Sequence, residues 1–132
     1  MCKVLIIEDT PIHMLLTSIV VTRCGHDTIE AANATDGVKM ARGFHPDVIL
    51  MDLSMPQMDG LAATRILKGD PATRDIPIIA VTASSQHTDR ERAISAGCDA
   101  FVTKPLVPKI LLSEIESLMR ARPASHNGSA IL

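Results

Sequence analysis

Tryptophan and tyrosine are absent from this sequence, and phenylalanine occurs only twice, as Phe44 and Phe101. Intrinsic tryptophan fluorescence is thereby excluded as a probe of any bound metal. Dense basic runs are missing too: 13 lysines and arginines stand against 15 acids, for a net charge of −2. Reading nucleic acid needs a positive footprint that neutralises phosphates, so that class is set aside. No apolar run approaches the ~20 residues that span a bilayer. The opening "MCKVLIIED" meets an acidic pair too soon for a signal peptide. The expectation is a cytoplasmic protein with neither membrane nor nucleic acid as partner. Cysteine is scarce: Cys2, Cys24 and Cys98 are odd in number and far apart, which argues against a disulfide framework or a zinc site. The five histidines lack ligand spacing, and His13, in "PIHMLL", reads as a helix-surface residue.

What is present is a chain of 132 residues, 46% apolar and 21% charged, enough for one core in a soluble globular domain. Short apolar runs alternate with helical patterns. "KVLII" (3–7) is β-branched-rich and reads as a buried strand. Pro11 suits the first turn of a helix on which Ile12, Leu15, Leu16 and Ile19 recur at helical spacing, with Gly25 as a C-terminal cap. "DTIEAA" (27–32) and "TDGVKMARGF" form a second pair. "DVILMD" is the clearest strand, followed by "GLAATRILKGD", a helix with Leu61, Ile66 and Leu67 roughly on one side. "IPIIAVTA" (76–83) precedes the polar helix "TDRERAISAG", in which "DRER" is a solvated face. "AFVT" precedes a last helix from about Val107 to Arg122, with Leu111, Ile115 and Leu118 on one face. Five strand–helix units imply a parallel sheet covered on both faces by helices. Residues 1–122 are expected to form this domain and 123–132 a mobile tail.

In such sheets, ligands sit outside the carboxyl ends of the strands, near the point where strand order reverses. Glu8 and Asp9 end the first strand, Asp52 the third, Thr82 the fourth, with Ser84 two further on, and Thr103-Lys104 the fifth. Three carboxylates brought together repel, and one pKa should rise unless a cation intervenes. A hard cation with oxygen ligands resolves this; Mg²⁺ commonly takes one or two carboxylates with waters and phosphate oxygens. Lys104 adds a positive charge and Thr82 a hydroxyl. These are the parts that hold a transferring phosphoryl group, where catalysis is mostly positioning and charge stabilisation. Asp52 then reads as a nucleophile that forms an aspartyl phosphate. The plainer readings are a solvent-facing Asp52, a Glu8-Asp9 pair that merely caps the next helix, and Thr82 as an ordinary strand residue.

The set "IIED", "DVILMDLSMPQMDG", "VTAS" and "FVTKP" resembles the receiver domain of bacterial two-component response regulators, in order and spacing over about residues 2–122. The resemblance implies a flavodoxin-like five-stranded parallel sheet in the order 2-1-3-4-5. It implies a stand-alone receiver that takes a phosphoryl group from a phosphohistidine of a histidine kinase or histidine phosphotransferase onto Asp52. Asp9 and Asp52 match the direct Mg²⁺ carboxylates, with Mn²⁺ as a substitute, and the backbone carbonyl of Ser54 matches a third ligand. Glu8 stands where the family usually has Asp. Thr82 and Lys104 match the groups on the phosphoryl oxygens, Phe101 the switch aromatic, and Lys104-Pro105 a cis peptide bond. Such a protein is a signalling switch rather than an enzyme, although it assists its own phosphorylation and dephosphorylation. Phosphorylation should draw Thr82 towards the phosphoryl group and let Phe101 turn inward. The face built from "TDRERAISAG", "AFVT" and the last helix should meet a downstream protein, with Ile110 either a contact there or core. Ser54 and Ser84, both small, imply a phosphorylated form that lasts minutes rather than hours. The competing readings are a phosphorylation-independent adaptor, a hydrolase, and a flavin-binding protein; the acidic "EDTP" after the first strand offers no cradle for a flavin phosphate.

Overall fold

The computed structural model describes residues 2–53, 60–83 and 87–121. Five strands alternate with five helices: β1 (Lys3–Ile7), α1 (Pro11–Arg23), β2 (Asp27–Ala31), α2 (Ala34–Phe44), β3 (Val48–Asp52), α3 (Gly60–Gly69), β4 (Ile78–Thr82), α4 (His87–Ala96), β5 (Ala100–Thr103) and α5 (Pro108–Ala121). All strand pairs are parallel, in the order β2-β1-β3-β4-β5, as the resemblance implied. Order reverses between β1 and β3, so the crevice above those two strands is the natural binding place.

Local chemistry explains the boundaries. Pro11 occupies the first helical position of α1, where its missing N–H costs nothing. That helix ends at Cys24, and Gly25 follows with φ of +91°, a region glycine enters without steric penalty. Asn33 caps α2: its side-chain oxygen accepts the Asp36 N–H at 2.8 Å. At the other end His45 closes α2 in the left-handed conformation.

Strand alternation divides the core in two. Leu5, Ile7, Ile49, Met51, Ile78 and Ala80 face α2, α3 and α4, packing on Val38, Ala63, Leu67 and Ala93. Their neighbours Val4, Ile6, Val48, Leu50, Ile79 and Val81 face α1 and α5, packing on Val21, Leu111 and Ile115. Strands β3 and β4 are buried along their whole length, which is why they read as continuous apolar runs.

Two sequence expectations require correction. Helix α1 exists, but the residues that marked it face solvent: Ile12, Leu15, Leu16 and Ile19 are 41–56% exposed, while Thr17 and Val21 are buried. This helix is apolar on nearly every side, so periodicity identifies the helix without selecting its inner face. On α3, Leu67 is fully buried but Ile66 is nearly half exposed. Ile110 also lies on the surface rather than in the core. Cys2 and Cys98 are buried thiols and Cys24 is half-buried, as expected of residues outside any disulfide.

Candidate functional site

The parallel pairing runs one residue past the strand ends. Glu8 N–H donates to the Ala31 carbonyl at 3.1 Å, Leu53 N–H to that of Val81 at 2.9 Å, and Lys104 N–H to that of Thr82 at 2.7 Å. Alternation therefore still applies there. Glu8 continues the series Val4, Ile6; Asp52 continues Val48, Leu50; Lys104 follows Val102. All three belong to the α1/α5 side of the sheet. Ile7 pairs with Met51, so Glu8 and Asp52 are next in register on adjacent strands. Thr82 falls on the opposite side, after Ile78 and Ala80, where Phe101 also packs.

The register brings one carboxylate oxygen each from Glu8, Asp9 and Asp52 to within 4.8 Å of one another. Glu8 and Asp52 are both 3% exposed, a position that carboxylates occupy only with partners. The partner is Lys104, whose Nζ lies 2.9 Å from Glu8 Oε1 and 3.5 Å from Asp52 Oδ2. Burial, reinforced by the hydrogen bond and negative charge of neighbouring Asp52, pushes the Glu8 carboxyl up to about 7; the hydrogen bonds from Lys104 and from Thr10 N–H pull the other way. The acidic cluster is thus short of positive charge even with its lysine. Three convergent hard oxygens suit Mg²⁺, so the residues present fit the ion implied by the resemblance.

Glu8 and Asp9 do not sit at the cap position of α1; Thr10 does, without a side-chain capping bond. The Lys104–Pro105 peptide is cis. Thr82 is buried at the carboxyl end of β4. Phe101 is half-buried, and the Arg90 guanidinium of α4 lies over its ring, 5.9 Å from the centroid. Arg90, Glu91 and Arg92 are exposed, so "DRER" is largely a solvated face. Gly60 is needed where α3 begins: a Cβ there would come within 2.9 Å of the Asp52 carbonyl. Ser54, Ser84 and the tail 123–132 lie outside the described residues.

One residue passed over as helix surface reaches the site. His13 Nδ1 lies 3.1 Å from Lys104 Nζ and 4.0 Å from Glu8 Oε1. The signal was available: side chains lean towards the N-terminus of their helix, and His13 is the third residue of one that starts just after Glu8-Asp9.

A groove of about 550 Å³ opens from this point, lined by Leu16, Ile19, Val20, Pro105 and Leu106, with His13 and Lys104 also on its wall.

Comparison with known proteins places these observations. The model of the response regulator receiver domain matches residues 4–116. The polar-differentiation response regulator DivK of Brucella ovis is 39% identical over 110 residues, which cover 83% of this chain and 89% of that protein; the DivK of Brucella anthropi matches equally well. Among solved structures, the receiver domain of a sensor histidine kinase from Pseudomonas aeruginosa, with a magnesium ion coordinated in its active-site cleft, superposes with a TM-score of 0.84. It is 28% identical, and the match covers 91% of this chain and 98% of that one. The receiver domain of a histidine kinase from Syntrophus aciditrophicus superposes with a TM-score of 0.82 at 32% identity, over 100% of this chain and 98% of the other. With the fold, the acidic cluster and these relatives in agreement, the chain belongs to the response regulator receiver domains of two-component signalling.

Proposed function

We propose that Asp52 accepts a phosphoryl group from a phosphohistidine of a histidine kinase or histidine phosphotransferase, and that the acyl phosphate changes which protein this chain binds. The observation that carries this reading is the meeting of Glu8, Asp9 and Asp52 with the Lys104 ammonium at the strand-order reversal. In the transfer, an Asp52 carboxylate oxygen forms a bond to phosphorus. The P–N bond of the donor breaks, and its electron pair returns to the imidazole nitrogen. The Lys104 ammonium, already against Asp52, is placed to stabilise charge on the phosphoryl oxygens. Asp9 and Asp52, with Glu8 as a further carboxylate and the Ser54 carbonyl beyond the described residues, would hold Mg²⁺ or Mn²⁺. The ion supplies positive charge where phosphoryl oxygens and carboxylates crowd together.

Phosphorylation adds roughly two negative charges. The Thr82 hydroxyl then gains a strong acceptor, and Phe101, on the same side of the sheet, is free to turn inward. Moving a 1:99 mixture of two states to 99:1 needs ~5.5 kcal/mol. One hydrogen bond to a charged group supplies about 1.5–3 kcal/mol, so Lys104 contacts must differ between the states as well. The output surface is assigned to α4, β5 and α5, where Ile94, Val107 and Ile110 are exposed. The protein donor is assigned to α1, whose aliphatic residues are exposed and whose His13 reaches Lys104.

Labelling with a radioactive small phosphodonor and Mg²⁺ tests the acceptor. Wild type should take up label and Asp52→Asn none; label retained by Asp52→Asn would refute the assignment. Partner binding indifferent to the phosphodonor would favour a phosphorylation-independent adaptor instead.

A further inference from the structure

The lysine at the centre of this site has an acceptor that its acidic partners do not explain. An ammonium has three hydrogens to place. Glu8 Oε1 at 2.9 Å takes one, Asp52 Oδ2 at 3.5 Å lies at the edge of a second, and His13 Nδ1 lies at 3.1 Å. Because the ammonium has only donors, Nδ1 must offer its lone pair and the ring hydrogen sits on Nε2. In the tautomer that this hydrogen bond requires, His13 is an uncharged acceptor, unlike the two carboxylates.

We propose that His13 is a positioning residue for phosphoryl uptake, holding Lys104 over Asp52 through the Nδ1–ammonium hydrogen bond. The inference rests on the receiver reading and adds to it a residue on α1. Its physical basis is competition. An incoming phosphoryl group and a divalent cation both act on Glu8 and Asp52, one by repulsion and one by attraction. Either weakens the hold of those carboxylates on Lys104. A neutral imidazole is drawn to neither with comparable strength, so it keeps one ammonium hydrogen occupied while the others turn to phosphoryl oxygens. The helix supports this role. His13 sits in the first turn of α1, beyond Pro11, and Thr17 and Val21 on the same helix are anchored in the core. His13 also lines the groove that continues from the site, so the same ring borders the path of an approaching donor.

The test compares His13→Leu, which fills similar space without an acceptor, with His13→Asn, whose amide oxygen can replace Nδ1. Two measurements are made: the rate of label uptake from acetyl phosphate with Mg²⁺, and the ¹⁵Nζ ammonium signal of Lys104 by NMR without phosphodonor. Uptake by His13→Leu should fall roughly fivefold, the effect of one lost hydrogen bond, and the Lys104 signal should broaden as its hydrogens exchange with water. His13→Asn should restore both. In a Lys104→Ala background, His13→Leu should cause no further loss, since the partner it acts through is gone. A Lys104 signal unchanged in His13→Leu overturns the inference, as does a slowing that persists undiminished in Lys104→Ala. If wild type takes up no label at all, the receiver reading itself fails, and the Lys104 signal alone then decides whether His13 holds the lysine.

Discussion

Glu8 shows how far a single side chain can be at odds with its surroundings. Its carboxyl is raised from 4.5 to about 7, chiefly by burial and then by Asp52, with Lys104 and Thr10 N–H offsetting only part. A carboxyl that holds its proton more tightly when folded favours the folded state at low pH. That contribution is complete below about 4.5 and is lost as pH rises to about 7. In metal-free protein, stability from this group should therefore fall across that window. Glu8→Gln should flatten the fall, as urea denaturation at a series of pH values in EDTA would show; an identical slope in the variant would count against it. Mg²⁺ held by these carboxylates as proposed would compete with the same proton, so its apparent affinity should rise through neutrality. Asp52→Asn removes the charge that raises Glu8 and relieves the repulsion between two buried neighbours. Metal-free Asp52→Asn is therefore expected to unfold at a denaturant concentration no lower than wild type, by about 1 kcal/mol at most in its favour, while losing the capacity to be labelled. A marked drop in stability would mean that the charge of Asp52 supports the fold rather than straining it.

At the scale of elements, packing decides what sequence pattern leaves open. Gly37 of α2 faces β1: a Cβ there would approach Ile7 Cδ1 to 2.5 Å and Cγ1 to 2.8 Å. Gly43, six residues later on the same helix, has nothing within 4 Å of such a Cβ. Gly37→Ala should cost about 1–3 kcal/mol by overpacking, whereas Gly43→Ala should gain up to about 1 kcal/mol by restricting the unfolded chain. Denaturation midpoints of opposite sign would verify the contrast; equal effects would mean that α2 can shift off the sheet. The same distinction explains what was legible in the sequence. Strands β3 and β4 announced themselves because burial on both faces leaves one kind of residue. The acids at the strand ends were legible because β-strand termini and carboxylate chemistry coincide. The inner face of α1 was not legible, because aliphatic residues occupy both faces of that helix and only the sheet selects between them. His13 was missed for a related reason. Its nearness to Glu8-Asp9 was legible from the first turn of α1, but its contact with Lys104, 91 residues away, is one that spacing along a chain does not report.

For the molecule as a whole, the useful asymmetry is where apolar surface remains exposed. No helix among the described residues is long and apolar enough to cross a membrane, and four of the exposed large aliphatics stand on α1. Ile12, Leu15, Leu16 and Ile19 are exposed on α1, and Leu16 and Ile19 line the groove that runs along this helix from Lys104. In the proposed phosphotransfer a small phosphodonor would need only the cluster, whereas a protein donor would have to be held while its imidazole aligns with Asp52. Burying one such side chain is worth about 1.5–3 kcal/mol. Leu15→Glu would replace that gain with a charge to be desolvated. Transfer from a phosphorylated histidine protein should then slow by about tenfold or more at subsaturating donor, because 1.4 kcal/mol is already a factor of ten. Uptake from acetyl phosphate should stay within about twofold, since Leu15 lies outside the groove and off the carboxylates and no core packing changes on an exposed side chain. Equal slowing with both donors would show that the substitution disturbs the acceptor itself. Unchanged transfer from the protein donor would remove α1 from the docking surface and return attention to the exposed residues of α4 and α5.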